Sequence, residues 1–170
     1  MNAPIILTAQ LAGQSGAYLD ALRLQYFPDR GYRLPAHLTL FHHLQAGQRP
    51  DIVQTLRHHC ALWSPLTLTA TDVLDFGGGC AFAIENPDLE ARRAVLADLW
   101  RDGLTPQDAR GFRPHVTVQN KVDRNTALKT LTTLRKDFAP FDIPCPGLSL
   151  WAYRGGPWDH LCDVPFGGME

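Results

Sequence analysis

The sequence has 170 residues, 45% of them hydrophobic and 19% charged, with 16 basic against 17 acidic side chains and a net charge of -1. These proportions exclude a disordered chain, and they exclude the large basic footprint of a protein that grips long duplex nucleic acid through many phosphates. A small anionic ligand stays open, because arginine, the side chain suited to forked binding of phosphate, supplies 13 of the 16 cations.

In chain order, Ile5 to Leu11 is short, apolar and β-branched, which predicts a buried strand. Gly13 to Tyr26 carries helical spacing at Tyr18, Leu19, Leu22 and Tyr26, with Ser15 as a candidate N-cap and Pro28 as the stop. His37 to Phe41 alternates as a strand does, and Asp51 to Trp63 returns to helical spacing before Pro65. A threonine-rich strand then runs from Leu66 towards Leu74 and ends at Gly77-Gly78-Gly79.

The second half opens with a strand at Cys80 to Glu85. A helix follows, with Asn86 as cap, Pro87 in the first helical position, acids in its first turn and Gly103 past its end. Next come a strand over Pro114 to Val118, a helix from Asp123 to Phe138, a strand over Gly147 to Tyr153 and a last strand near Trp158 to Val164.

Both halves therefore read strand, helix, H-x-T strand, helix, proline, strand, with the motif histidines 78 positions apart. The pattern predicts an α+β fold in one bilobal domain spanning 1–170. Two pseudo-symmetric lobes of about 4–76 and 80–155, each an antiparallel sheet with helices outside, would flank a cleft, with a last strand at 158–166.

The chemistry sits in His37-Leu38-Thr39-Leu40 and His115-Val116-Thr117-Val118. Residues i and i+2 of a strand share a face, so each strand points an imidazole and a hydroxyl the same way, about 6.6 Å apart, while the apolar pair anchors the opposite face. With 7 His and 12 Thr, composition predicts roughly 0.1 such tetrapeptides per chain, so two at matching places in a repeat speak for function. A pseudo-twofold axis would oppose two histidines able to exchange protons and two hydroxyls able to bond anionic oxygens.

On these two motifs the chain resembles the 2H phosphoesterase superfamily, and within it the 2',5' RNA ligase and cyclic phosphodiesterase group. Phe112-Arg113-Pro114 before the second motif looks like that group's context, and Leu148 to Arg154 with Gly155-Gly156 is similar to its C-terminal segment. The resemblance implies a metal-independent enzyme without cofactor, with His37 and His115 as acid and base and Thr39 and Thr117 holding phosphate. It suggests His115 as base and His37 as acid for hydrolysis. The implied substrates are 2',3'-cyclic phosphates of RNA ends or small nucleotides, with reversible 2',5' ligation.

Opening a cyclic phosphate in line needs a base on the entering water and an acid at the opposite apex, and imidazole, with its pKa near 6.5, suits both parts. Two alternatives share the motifs: action on another phosphodiester, such as ADP-ribose cyclic phosphate or a 3' RNA tail, and an inactive module that binds nucleotides or RNA ends. Arg33, Arg113 and Arg154 are accessory candidates for phosphate contact, and Tyr32, Phe41, Trp151 and Trp158 for stacking a base.

Other signals point elsewhere. His42-His43 and His58-His59-Cys60 lack the ligand spacing of a zinc site. Gly77-Gly78-Gly79 lacks the G-K-[ST] ending of a phosphate loop, joins two expected strands and reads as a hairpin or a connection between the lobes. Cysteines 60, 80, 145 and 162 form no C-x-x-C pair and read as free thiols. With no basic, apolar leader and no run of roughly 20 apolar residues, the chain is expected to be a cytosolic monomer.

Overall fold

A computed structural model describes residues 3–167. Among the described residues eight strands form two antiparallel sheets of four. The first, in the order β2-β1-β7-β8, contains β1 (Ile5–Ala9), β2 (Leu38–Leu44), β7 (Gly147–Tyr153) and β8 (Trp158–Pro165). The second, in the order β5-β4-β3-β6, contains β3 (Leu66–Asp75), β4 (Cys80–Glu85), β5 (His115–Gln119) and β6 (Phe141–Cys145). The helices are α1 (Gly13–Tyr26), α2 (Arg49–Leu62), α3 (Pro87–Leu99), α4 (Pro106–Ala109) and α5 (Arg124–Lys136). Among the described residues no helix is long and apolar enough to cross a membrane.

The two sheets match strand for strand, β1 with β4, β2 with β5 and β7 with β3. They do not follow the contiguous division at 4–76 and 80–155. β3 lies in the sheet of the second half and β7 in that of the first. The reason is local: the turn after Asp75 is too short to leave β3 anywhere except beside β4, with Asp75 opposite Cys80. Gly77 supplies the positive φ of +79° in that turn, and Gly79 lets β5 approach β4, since a Cβ there would stand 1.8 Å from the carbonyl oxygen of Gln119.

Local signals set most boundaries. The Asn86 side chain accepts from the Leu89 amide at 2.8 Å and opens α3, and Asp123 accepts from Thr126 at 2.8 Å and opens α5. Ser15 does not cap α1. It is the third residue of the helix, and its hydroxyl donates to the Asp142 carbonyl of β6. β6 itself escaped the sequence pattern because Pro144 speaks against a strand interior. As an edge strand paired only with β3, it tolerates the missing donor.

Leu38, Leu40, Val116 and Val118, the apolar members of both tetrapeptides, are buried and belong to one continuous core. That burial fixes the opposite faces of β2 and β5 towards the space between the sheets.

Candidate active site

Each motif strand carries one extra residue. Opposite Leu7 and Thr8 stand Phe41 and Thr39, with Leu40 left over, and opposite Cys80 and Ala81 stand Gln119 and Thr117, with Val118 left over. These bulges occupy the same place, the last position of each tetrapeptide. A bulge takes carbonyls off the ladder, and in each strand a buried arginine from a helix meets one. Arg93 of α3 donates from Nε to the Leu40 carbonyl at 3.2 Å, and Arg23 of α1 from Nη1 to the Thr117 carbonyl at 2.9 Å.

The two histidines are held alike. Nδ1 of His37 lies 2.8 Å from the Pro35 carbonyl, and Nδ1 of His115 lies 2.8 Å from the Arg113 carbonyl. A carbonyl only accepts, so each ring carries its proton on Nδ1 and keeps Nε2 for other partners. The rings also rest against aromatics, His37 on Trp158 at 4.4 Å between centroids and His115 edge-on to Phe76 at 5.4 Å.

A cleft of about 960 Å³ opens beside them. His37, Thr117, Tyr32, Arg33 and Trp158 line it. Thr39 and His115 are not on that lining; they stand two residues from His37 and Thr117 on the same strand faces, and β2 and β5 touch each other across the sheets. Among the described residues neither motif threonine spends its hydroxyl on a side-chain hydrogen bond. Thr8, the cross-strand neighbour of Thr39, has its hydroxyl taken by the Trp151 indole at 2.9 Å.

Part of the His37 ring still meets the cleft, but the protein around it is dense. Burial chiefly, then the positive charge of Arg23, push its imidazole down to about 4, with His115 and His42 adding to the effect and the Pro35 bond opposing it. The lining holds Arg23, Arg30, Arg33 and Lys121 against Asp20 alone, so the charge balance of the cleft is that of an anion site.

Several candidates fall elsewhere. Phe41 cannot stack a base: the bulge at Leu40 turns it opposite Leu7, where it is wholly buried with its ring 5.2 Å from that of Trp100. Trp151 packs between Trp158 and His160 and supports Trp158 rather than facing the cleft. Arg154 pairs with Asp159 at 2.7 Å and borders a separate hollow with Ala3 and Arg49, while its strand neighbour Tyr153 lines the cleft. Arg113 is exposed outside the cleft lining, and its contribution is the carbonyl that holds His115. Among the described residues no three His, Cys, Asp or Glu side chains gather as a metal centre would require.

The structure adds Arg23, His42, Phe76, Asp108 and Asn120, none of which the strand pattern singled out. Arg23 and Asp108 left no signal, because each reaches the site from a helix distant in sequence.

The family model described as the 2'-5' RNA ligase superfamily matches residues 11–157. The chain belongs to this superfamily. Its fold is that of the 2H phosphoesterases, as similar solved structures show. A protein of Thermus thermophilus, TT0787, superposes with a TM-score of 0.69 at 16% identity over 98% of this chain and 100% of that one. E. coli LigT complexed with 3'-AMP gives 0.59 at 16% identity, with 98% and 99% covered. Kluyveromyces marxianus Usb1 with uridine monophosphate gives 0.52 at 12% identity, with 96% and 98% covered. No curated protein matches the chain in sequence. Membership of the 2'-5' RNA ligase superfamily, one of phosphoesterases and ligases, makes an enzyme the supported class.

Proposed function

We propose that this member of the superfamily hydrolyses 2',3'-cyclic phosphates of RNA ends or nucleotides, and that it carries out reversible 2',5' ligation when a ribose 5'-hydroxyl takes the place of water as the nucleophile. The observation that carries the reading is the matched pair His37 and His115, each with Nδ1 on the carbonyl two residues back and Nε2 left over.

In the forward step one Nε2 takes a proton from water as the water oxygen bonds to phosphorus. On the opposite side the P–O bond to one ribose oxygen breaks, and the second imidazole delivers a proton to that oxygen. The product is a phosphomonoester and a free ribose hydroxyl. The Thr39 and Thr117 hydroxyls donate to the non-bridging oxygens and hold the phosphate in line.

The low pKa of His37 supports a definite division of roles. At neutral pH in the free protein it is an unprotonated imidazole, fit to take a proton, which makes it the base and leaves the acid's part to His115. That is the reverse of the order the resemblance suggests. Tyr32 and Trp158 on the lining supply faces for the base of a nucleotide. The free cysteines Cys60, Cys80, Cys145 and Cys162 suit a reducing compartment such as the cytosol.

The test is turnover of 2',3'-cyclic nucleotides and of oligoribonucleotides ending in a cyclic phosphate, near neutral pH with excess chelator. Hydrolysis to a phosphomonoester is expected. A complete lack of turnover across that panel ends this reading.

A further inference from the structure

The bulge at Leu40 changes the face of every residue after it. His42, which strict alternation from His37 and Thr39 would send into the core, arrives on the wall of the cleft with 45% of its side chain exposed. Its Nδ1 lies 3.1 Å from Oδ1 of Asp108, whose own side chain is wholly buried. The same carboxylate accepts the backbone N–H of His42 at 2.8 and 3.0 Å and that of His43 at 2.9 Å, while the Asp108 carbonyl accepts from Arg93. A buried carboxylate so placed fixes the ring. Nδ1–H donates to Asp108, and Nε2 is left for the cleft.

The hydrolytic step described above makes no use of this histidine. Its counterpart after the bulge at Val118 is Asn120, which lines the same cleft. Asn120 accepts the Lys121 N–H on Oδ1 at 2.9 Å, so its amide nitrogen keeps both hydrogens for a ligand. The ion pairs among the described residues leave Arg30 and Lys121, also on the lining, without a carboxylate. More cationic and donor capacity faces this cleft than one cyclic phosphate requires.

We propose that His42, held by Asp108, binds the phosphate on the 5' oxygen of the nucleotide whose 2',3'-cyclic phosphate lies between His37 and His115. The substrate class is thereby narrowed to ends carrying a second phosphate, either a free 5'-phosphate or the diester that continues into an RNA chain. This rests on the hydrolytic reading above. Thr39 and His42 are three residues apart, at most about 10 Å along extended chain, a span one nucleoside unit covers. With a carboxylate at Nδ1 and a phosphate at Nε2, the ring stands between two anionic acceptors, whose charge strengthens the hydrogen bonds it makes to them.

The test is equilibrium binding of three product analogues to the full chain: adenosine 3'-phosphate, adenosine 3',5'-bisphosphate and a 3'-phosphorylated adenosine dinucleotide. The protein should bind one or both of the ligands with a second phosphate group about tenfold or more tightly than the monophosphate, as one charge-assisted bond implies. Preference for the bisphosphate identifies a free 5'-phosphate, and preference for the dinucleotide identifies an RNA diester.

His42→Asn keeps a donor at the Nδ1 position for Asp108 and loses the Nε2 position. It should abolish the preference while leaving monophosphate affinity within about twofold, and His42→Gln, whose amide nitrogen reaches the Nε2 position, should restore part of it. The proposal is overturned if the unmodified protein shows no preference, if His42→Asn retains it, or if His42→Asn weakens all three ligands equally. Discrimination without turnover of any cyclic phosphate would sink the hydrolytic reading and spare this subsite, and turnover without discrimination would do the reverse.

Discussion

Arg23 and Thr117 lie 94 residues apart and are joined by a 2.9 Å hydrogen bond from the guanidinium Nη1 to the backbone carbonyl of the motif strand. The same side chain donates to the Leu34 carbonyl at 3.1 Å and lies 3.9 Å over the ring of Phe27. One buried cation thus braces the second motif strand and the segment leading to the first, and it also stands close enough to oppose a charge on His37. Arg23→Met should lower the unfolding free energy by about 2–4 kcal/mol, since it strands two carbonyls, as read by denaturant titration. It should also raise the pKa of His37, moving the acid limb of the pH profile upward.

Replacing either motif histidine removes a proton carrier and no core atoms. His37→Ala and His115→Ala should each reduce kcat/KM for a 2',3'-cyclic nucleotide by about 10²- to 10⁴-fold with little change in the thermal midpoint. A loss of less than tenfold for either would place proton transfer elsewhere.

The pH dependence separates the two histidines' roles. If His37 is the base, protonating it stops the reaction, so its limb of kcat/KM should lie near pH 4 and the rate should fall below it. Were it the acid, kcat/KM would instead fall about tenfold for each pH unit above 4.

Stability follows the same group with its own sign. The folded pKa of about 4 lies below the ordinary value of 6.5, so the unfolded chain takes up the proton first. The His37 contribution is therefore constant above pH 6.5, turns unfavourable as pH falls from 6.5 to 4, and levels off below. His37→Asn should flatten the denaturation midpoint across that window.

Gly79 is a structural checkpoint for the hairpin beside His115. Gly79→Ala drives a Cβ into the Gln119 backbone and should cost about 3 kcal/mol or more, whereas Gly78→Ala, whose nearest atom would be the Val122 oxygen at 3.3 Å, should cost about 1 kcal/mol or less by thermal melting.

The strand period made the shared face of His37 and Thr39, and that of His115 and Thr117, legible in the sequence, because the buried apolar partners Leu38, Leu40, Val116 and Val118 fix which face remains. It failed one residue later for a physical reason. An alternation rule has no means of registering the extra residue at Leu40, so it offered Phe41 to the substrate and hid His42. The Gly77-Gly78-Gly79 run allows either a hairpin or a connection between lobes, and the pairing of β3 with β4 takes the hairpin. Asp108 and Arg23 stayed unreadable because their partners lie on other elements, and a side chain's sequence neighbours say nothing of those.

The crossing of β3 into the second sheet and of β7 into the first bears on ancestry and on cutting the chain. A polypeptide corresponding to one half would offer β1 no inner neighbour and its own third strand no sheet to join. Two copies would remedy both faults by lending each other that strand, forming a swapped homodimer with one imidazole and one hydroxyl from each subunit at its twofold axis. The present chain has the design of such a dimer fused end to end. Separated halves should therefore regain a working site only when mixed.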